Sequence, residues 1–89
     1  MEKVKIFFSK IRPDAVIPSK REEDAGYDVY ACLESDWVEY APHQTQPLPT
    51  GIASACSPDY YFHIGERGST GAKGISKRAG IIDSGYPGE

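Results

Sequence analysis

A carboxylate and an aromatic ring stand three residues apart near the end of the chain, within residues 79–89 (AGIIDSGYPGE). Two β-branched residues lead into Asp83, and a strong turn signal follows. Asp suits the first position of a β-turn, and Gly85 at the third position can take a positive φ. The pattern predicts a hairpin with Asp83 and Tyr86 on its flanks. Such a hairpin can fix a carboxylate and a ring beside one small ligand, whereas the simpler alternative is a surface hairpin with an ordinary turn aspartate.

A glycine-rich run lies just upstream, at residues 65–74 (GERGSTGAKG), with four glycines, two hydroxyls, Arg67 and Lys73. Closely spaced glycines let several backbone N–H groups point at one oxyanion, and the two cations add charge that attracts phosphate. The run does not fit the P-loop pattern, because Lys73 is followed by Gly74 rather than by Ser or Thr. It indicates a phosphate-binding loop, with a mobile Gly/Ser loop as the simpler alternative.

Short β-prone segments separated by turns must position these residues. Alternating apolar residues, or aromatic and β-branched content, predict strands over residues 3–8, 27–33, 36–40 and 60–64. In the second of these segments, Asp28 lies on the opposite face from Tyr27. Because no segment shows a persuasive helical pattern, the sequence indicates an all-β sandwich or barrel, in one domain covering residues 1–89.

Composition and charge exclude several classes of function. The 89 residues make at most one small domain, and the net charge of −3 argues against nucleic acid or an anionic membrane as the main partner. A phosphate ligand stays compatible with this charge, because basic side chains cluster at Arg67, Lys73, Lys77 and Arg78.

The two cysteines, Cys32 and Cys56, stand 24 residues apart, and the two histidines are isolated from them. This spacing does not match zinc ligands, so we expect no metal site built by the protein and two free thiols in a reducing compartment. Residues 1–8 are too short and too charged for the core of a signal peptide, and no run approaches the length of a membrane span. The sequence predicts a cytoplasmic protein.

Three stretches, taken in order, resemble a known family. Residues 25–28 (AGYD), 66–71 (ERGSTG) and 79–89 resemble the first three of five ordered motifs of the trimeric dUTPases, and residues 49–53 (PTGIA) resemble the segment between the first two. The resemblance spans nearly the whole chain from Ala25 onward, and three motifs in this order are specific. It implies a distorted jelly roll or β-barrel, assembled as a homotrimer with active sites at subunit interfaces, that hydrolyses dUTP to dUMP and pyrophosphate.

The resemblance also implies roles for individual residues. Asp83 matches the carboxylate that activates water, and Tyr86 matches the ring that packs against deoxyribose and leaves no space for a 2′-hydroxyl. Asp28 matches an aspartate that supports the active site. The positions that match substrate-binding residues are Arg67, Gly68 and Ser69 for the phosphates, and Gly80, Ile81, Ile82 and Asp83 for the uracil edge. Mg²⁺ is implied as the cofactor, held mainly by triphosphate oxygens and water.

The chain departs from the family pattern in three places. Gly68 stands where members usually have a serine, so either Ser69 takes over that phosphate contact or phosphate binding is weaker. Pro87 stands where a polar or basic residue is common, and it removes one backbone donor. The sequence stops at Glu89, before the fourth and fifth motifs. We therefore expect a fold that is truncated after the third motif, and an 89-residue chain that does not hydrolyse dUTP by itself.

Two other functions stay open. The dCTP deaminases share this fold and a similar Ala-Gly-x-Ile-Asp turn, but their deaminating carboxylate lies further downstream. A non-catalytic module that keeps the fold, for nucleotide binding or for protein interaction, is favoured by Gly68 and by the missing motifs. The run from Tyr86 to Glu89 and residues 70–74 (TGAKG) resemble the dUTPases more closely than the deaminases.

Overall fold

The computed structural model describes residues 3–89, which form four short strands and one short helix. The elements in chain order are β1 (Ile6–Lys10), β2 (Ile52–Cys56), β3 (Phe62–His63), α1 (Gly68–Ala72) and β4 (Ile81–Ile82). β1 pairs with β2 in one sheet, and β3 pairs with β4 in another. Apart from the five-residue α1, the described residues form strands, turns and extended segments, so the predicted all-β class is confirmed.

The described residues divide into two compact units. The first unit comprises residues 3–7 and Ala55–Tyr86, and it contains β3, α1 and β4. The second unit comprises Phe8–Ser54 and Pro87–Glu89, and it contains the buried core. No helix in residues 3–89 has the length and apolar character that crossing a membrane requires.

In the first unit, β3 and β4 form a small antiparallel sheet with one covered face. Phe62 lies opposite Ile82, and both side chains are half-buried. His63 lies opposite Ile81, and both of these are exposed. Because successive side chains of a strand point to opposite faces, one apolar pair is enough to fix the register of this sheet. The strand predicted over residues 60–64 is therefore confirmed in a shorter form.

The core of the second unit is small. Its buried apolar residues are Ala15, Cys32 and Ile52, and Phe8 packs against them. The ring of Phe8 meets that of Tyr27 edge-on, with 5.7 Å between ring centroids. Ile52 and Phe8 come from β2 and β1, so the strand pair supplies the larger apolar side chains of this core.

Gly51, just before β2, allows a close backbone approach in this unit. Its φ is +71°, and a Cβ there would lie 2.8 Å from the Cβ of Ala15. Its carbonyl accepts hydrogen bonds from the N–H groups of Ile11 at 2.7 Å and Arg12 at 3.3 Å. Only glycine combines this conformation with this contact at low cost, which explains why a glycine leads into β2.

Two predicted strands, over residues 27–33 and 36–40, do not form in the described chain. In the first, Asp28 makes only an isolated bridge to Ser19, with 2.9 Å between its nitrogen and the serine carbonyl oxygen. In the second, the side-chain amide of Gln46 donates to the carbonyl of Glu39 at 2.6 Å, which occupies an acceptor that a strand ladder would use. Aromatic and β-branched content favours a strand only where a neighbouring strand pairs with it, and neither segment has such a neighbour among the described residues.

β1 is shifted along the chain. The alternation of residues 3–8 predicts a strand, and the structure places it at Ile6–Lys10, where Ile6 and Phe8 are half-buried and Phe7 is exposed. The alternation predicts Ile6 and Phe8 on one face and Phe7 on the other, which agrees with this burial, although the strand ends two residues later than expected.

Candidate functional site

The four-residue turn after β4 has a carboxylate at its first residue, Asp83, and an aromatic ring at its last residue, Tyr86. The N–H of Tyr86 donates to the carbonyl of Asp83 at 3.1 Å, which closes the predicted β-turn. Both residues are exposed, Tyr86 by 48%. Among the described glycines only Gly51 and Gly74 have positive φ, so Gly85 takes an ordinary conformation and the turn does not depend on it.

The predicted hairpin around this turn does not form in the described residues. Residues 86–89 after the turn are not a strand, and β4 pairs instead with β3, the strand that precedes it in the chain. Tyr86 cannot be followed by a regular ladder of hydrogen bonds because Pro87 lacks an N–H. Asp83 and Tyr86 therefore flank a turn rather than a hairpin.

The register of β4 decides which backbone groups face away from β3. The N–H of Ile64 donates to the carbonyl of Gly80 at 2.7 Å, so Ile64 and Gly80 form a hydrogen-bonded pair. His63 and Ile81 are the next pair along the ladder. In antiparallel sheets hydrogen-bonded and non-hydrogen-bonded pairs alternate, so the N–H and C=O of Ile81 point away from β3, along the outer edge of the sheet. One donor and one acceptor thus stand side by side, two residues before Asp83.

The glycine-rich run is wound into one helical turn rather than left as an open loop. Arg67 is the N-cap residue of α1, with extended φ of −78° and ψ of 136°. Its carbonyl accepts hydrogen bonds from the N–H of Gly71 at 2.8 Å and from the hydroxyl of Thr70 at 3.1 Å. These two bonds hold the start of α1, where Arg67, Gly68 and Ser69 are all exposed. The three residues predicted to hold phosphate are therefore consecutive and open to solvent.

Gly68 has free space where its side chain would be. A Cβ built on Gly68 meets no atom within 4 Å, so the position excludes no larger residue on steric grounds. Its φ is not positive either, since Gly51 and Gly74 are the glycines of the described chain with positive φ. The structure gives no backbone reason for the glycine that stands here in place of the expected serine.

Four basic residues of the first unit, Arg67, Lys73, Lys77 and Arg78, are exposed. The ion pairs found within residues 3–89 involve other residues, so the charge of these four is not neutralised by a neighbouring carboxylate. Uncompensated positive charge beside exposed backbone N–H groups attracts phosphate. The basic cluster noted in the sequence therefore lies in the same unit as Asp83 and Tyr86.

Asp28 belongs to the second unit, where it is exposed. Its N–H donates to the carbonyl of Ser19, which fixes the backbone of Asp28 but leaves its carboxylate outside that bond. Its predicted supporting role stays a prediction.

Sequence patterns gave no sign of one polar cluster in the second unit. Arg12 Nη2 lies 2.9 Å from one carboxylate oxygen of Glu89, and the N–H of buried Gly51 donates to the other. The hydrogen bond from Arg12 is the main cause that lowers the pKa of Glu89, and the bond from Gly51 acts in the same direction. The partners are 77 and 38 residues apart in the chain, so no local spacing could have revealed them.

The part of the chain that the structure describes shows no metal centre at the site. Within residues 3–89 no group of three or more His, Cys, Asp or Glu side chains could hold a metal ion. An open concavity of about 460 Å³ lies elsewhere in the first unit, and its lining residues include Lys5, Phe7, Cys56 and Tyr60 but none of the predicted site residues. The candidate site is thus an exposed turn, a strand edge and a helix start.

Comparison with known proteins gives consistent results. The family model described as dUTPase matches residues 13–89. The chain is similar to the deoxyuridine 5′-triphosphate nucleotidohydrolase of Leptospira interrogans serogroup Icterohaemorrhagiae serovar copenhageni (strain Fiocruz L1-130), at 38% identity over 90 residues covering 97% of this chain and 61% of that protein. It is similar to the protein of the same name from Serratia proteamaculans (strain 568), at 38% identity over 91 residues, covering 97% of this chain and 59% of that protein.

A third relative is a longer viral protein. The chain is 38% identical over 84 residues to the Pol polyprotein of caprine arthritis encephalitis virus (strain Cork), covering 94% of this chain and 7% of the polyprotein. The chain spans about three fifths of the length of the two bacterial relatives. No solved structure gives a significant match.

Proposed function

The chain belongs to the dUTPase family, whose model matches residues 13–89, and on that premise we propose that an active assembly containing this chain hydrolyses dUTP to dUMP and pyrophosphate. One observation carries the proposal: the matched range contains every residue assigned to the site from the sequence. Those residues are Asp28, Arg67, Gly68, Ser69, Gly80, Ile81, Ile82, Asp83 and Tyr86.

Asp83 is the proposed general base. Its carboxylate is exposed at the first position of the turn, so a water molecule can approach it. A carboxylate that orients and deprotonates this water directs it at the α-phosphorus of dUTP, and pyrophosphate leaves.

Tyr86, at the other end of the same turn, is the residue proposed to pack against the sugar. Its half-exposed ring can cover deoxyribose and exclude a 2′-hydroxyl.

The outer edge of β4 is the proposed uracil site. The N–H of Ile81 can donate to a carbonyl of the base, and the C=O of Ile81 can accept from the ring N–H beside it. Cytosine presents an acceptor where uracil has its ring N–H, so one buried polar group would stay unpaired. Such a mismatch costs on the order of 1–3 kcal/mol.

Arg67, Gly68 and Ser69 are the proposed phosphate-binding residues, because they combine an uncompensated cation with consecutive exposed backbone N–H groups. Mg²⁺ is the proposed cofactor, held mainly by the triphosphate oxygens and water. The residues present fit a metal held in this way, because such an ion needs no cluster of protein ligands. When bound, Mg²⁺ neutralises charge on the phosphate oxygens.

We also propose a homotrimer in the cytoplasm. Many large apolar side chains are exposed in both units, among them Trp37 at 68%, Phe7 at 62% and Tyr61 at 61%, and such surface favours association. Cys32 and Cys56 are both free, which fits a reducing compartment.

A second candidate is a nucleotide-binding module without catalysis. Gly68 favours it, because no hydroxyl is present where the family usually contacts a phosphate. Mixing the protein with dUTP, UTP and dCTP in Mg²⁺ buffer and measuring pyrophosphate and monophosphate release tests the proposal. Release from dUTP well above that from the other two supports hydrolysis. Binding of dUTP without release supports the module, and neither binding nor release of any nucleotide contradicts both.

A further inference from the structure

The ammonium group of Lys77 occupies the space that a side chain at position 80 would fill. Nζ of Lys77 lies 3.1 Å from the point where a Cβ on Gly80 would be. The carbonyl oxygen of Ile64 lies 3.4 Å from that point, and Cδ2 of His63 lies 3.7 Å from it. Gly80 therefore gives the lysine access to the backbone just before β4.

The ammonium of Lys77 has no ion-pair or hydrogen-bond partner within the described chain. The hydrogen bonds and ion pairs of residues 3–89 do not include its ammonium. The other two atoms close to the Cβ point of Gly80 belong to a backbone carbonyl and an imidazole ring, and the ion pairs of residues 3–89 give the ammonium no carboxylate partner. An exposed ammonium has three N–H donors and no acceptor, so these donors are available to a ligand.

The glycine beside the ammonium is followed by a residue whose backbone groups face outward. Gly80 precedes Ile81, whose N–H and C=O point away from β3 because of the register of the sheet. Gly80 is also three residues from Asp83. A charged donor thus lies beside the residue that precedes this neutral donor and this neutral acceptor.

We propose that Lys77 is a further substrate-binding residue, whose ammonium donates to an oxygen of the nucleotide held at β4; this rests on the proposed function. A group that only donates binds a carbonyl or a phosphate oxygen and disfavours an exocyclic amine, which also presents donors. Lys77 therefore selects a ligand with an oxygen at this point. A uracil carbonyl and a phosphate oxygen both have this chemistry, and the experiment distinguishes them.

The test measures the Kd of three probes by calorimetry: deoxyuridine, a non-hydrolysable imido analogue of dUTP, and inorganic triphosphate. The variant Lys77→Met keeps the unbranched chain up to Cε and removes the charged Nζ, and Lys10→Met removes an exposed lysine of β1 as the matched control. We expect Lys77→Met to weaken binding of the analogue about tenfold, and Lys10→Met to change it less than about twofold. If Lys77→Met loses as much affinity for deoxyuridine as for the analogue, the ammonium binds a base carbonyl. If it loses as much affinity for triphosphate as for the analogue, the ammonium binds a phosphate oxygen.

A double-mutant cycle tests the contact with Gly80 itself. Gly80→Ala places a methyl group at the point now next to the ammonium, so it should displace Lys77 and weaken binding in the wild type. In the Lys77→Met background, Gly80→Ala should reduce the affinity for the analogue by a smaller factor, because there is no ammonium to displace. Equal losses in both backgrounds contradict the proposed contact, and thermal unfolding of each variant shows whether it is folded.

The two possible failures are distinguishable. If the wild type binds the analogue and Lys77→Met binds it equally well, Lys77 is not a binding residue and the proposed function is unaffected. If the wild type binds none of the three probes, the proposed function is wrong and Lys77 has no nucleotide to contact.

Discussion

Asp83 stands exposed at the start of a turn, where a carboxylate can reach a water molecule without rearrangement of the chain. Asp83→Asn keeps the shape of the side chain and removes its basicity, so dUTP turnover should fall by on the order of 10²-fold or more, with binding retained. Steady-state rates of pyrophosphate release, with calorimetric binding of the imido analogue, check this. Turnover at the wild-type rate in the asparagine variant would show that another group activates the water.

A backbone hydrogen bond between Tyr86 and Asp83 closes the turn. The turn therefore fixes the backbone positions from which the ring and the carboxylate extend. Tyr86→Ala removes the wall proposed to exclude a 2′-hydroxyl. The ratio of kcat/KM for dUTP over UTP should fall by on the order of tenfold, mainly through weaker use of dUTP. Tyr86→Phe keeps the ring and serves as the control with an unchanged ratio. If the alanine variant keeps the wild-type ratio, sugar selection lies elsewhere.

At the scale of elements, the sequence correctly predicted the turns and strands that are determined by residues adjacent in the chain. The turn from Asp83 to Tyr86 and the strand around Phe62 both formed, because turn chemistry and β-prone runs act locally. The segments at 27–33 and 36–40 did not form strands, since a strand also needs a partner that local sequence does not specify. Two contacts were not predicted. Glu89 beside Arg12 joins distant segments, and Lys77 beside Gly80 depends on the path of an irregular segment that no periodic pattern specifies.

The helix α1 allows a direct test of the departure at Gly68. A Cβ at this position meets nothing within 4 Å, and serine is also a better helix residue than glycine. Gly68→Ser should therefore fold as well as the wild type and add one hydroxyl donor to a phosphate oxygen. Because the position is exposed, we expect Kd for the imido analogue of dUTP to fall by about tenfold at most. Ser69→Ala is the informative partner: a large loss there, with no gain from Gly68→Ser, would assign the phosphate contact to Ser69.

At the scale of the whole molecule, long-range polar contacts supplement a small core. Ala15, Cys32 and Ile52 are the buried apolar residues of the described chain, and many larger apolar side chains are exposed. Because so little apolar surface is buried, a polar contact between distant parts of one unit contributes a larger share of the free energy of unfolding than it would in a large domain. Glu89 makes such a contact, since it binds both Arg12 and the N–H of Gly51.

The ion pair of Glu89 should make stability depend on pH. Arg12 holds the pKa of Glu89 below the ordinary value of 4.5, so the folded state favours the carboxylate more than the unfolded state does. This contribution is fully present above pH 4.5 and is lost as pH falls through the lowered pKa. Urea unfolding midpoints measured from pH 7 to pH 3 should therefore show Glu89→Gln below the wild type at pH 7, with the difference narrowing as pH falls through the lowered pKa of Glu89. Glu22→Gln, which removes an exposed carboxylate outside any ion pair of the described residues, should run parallel to the wild type. A gap between Glu89→Gln and the wild type that stays constant down to pH 3 would mean that shape at position 89, rather than charge, holds this contact together.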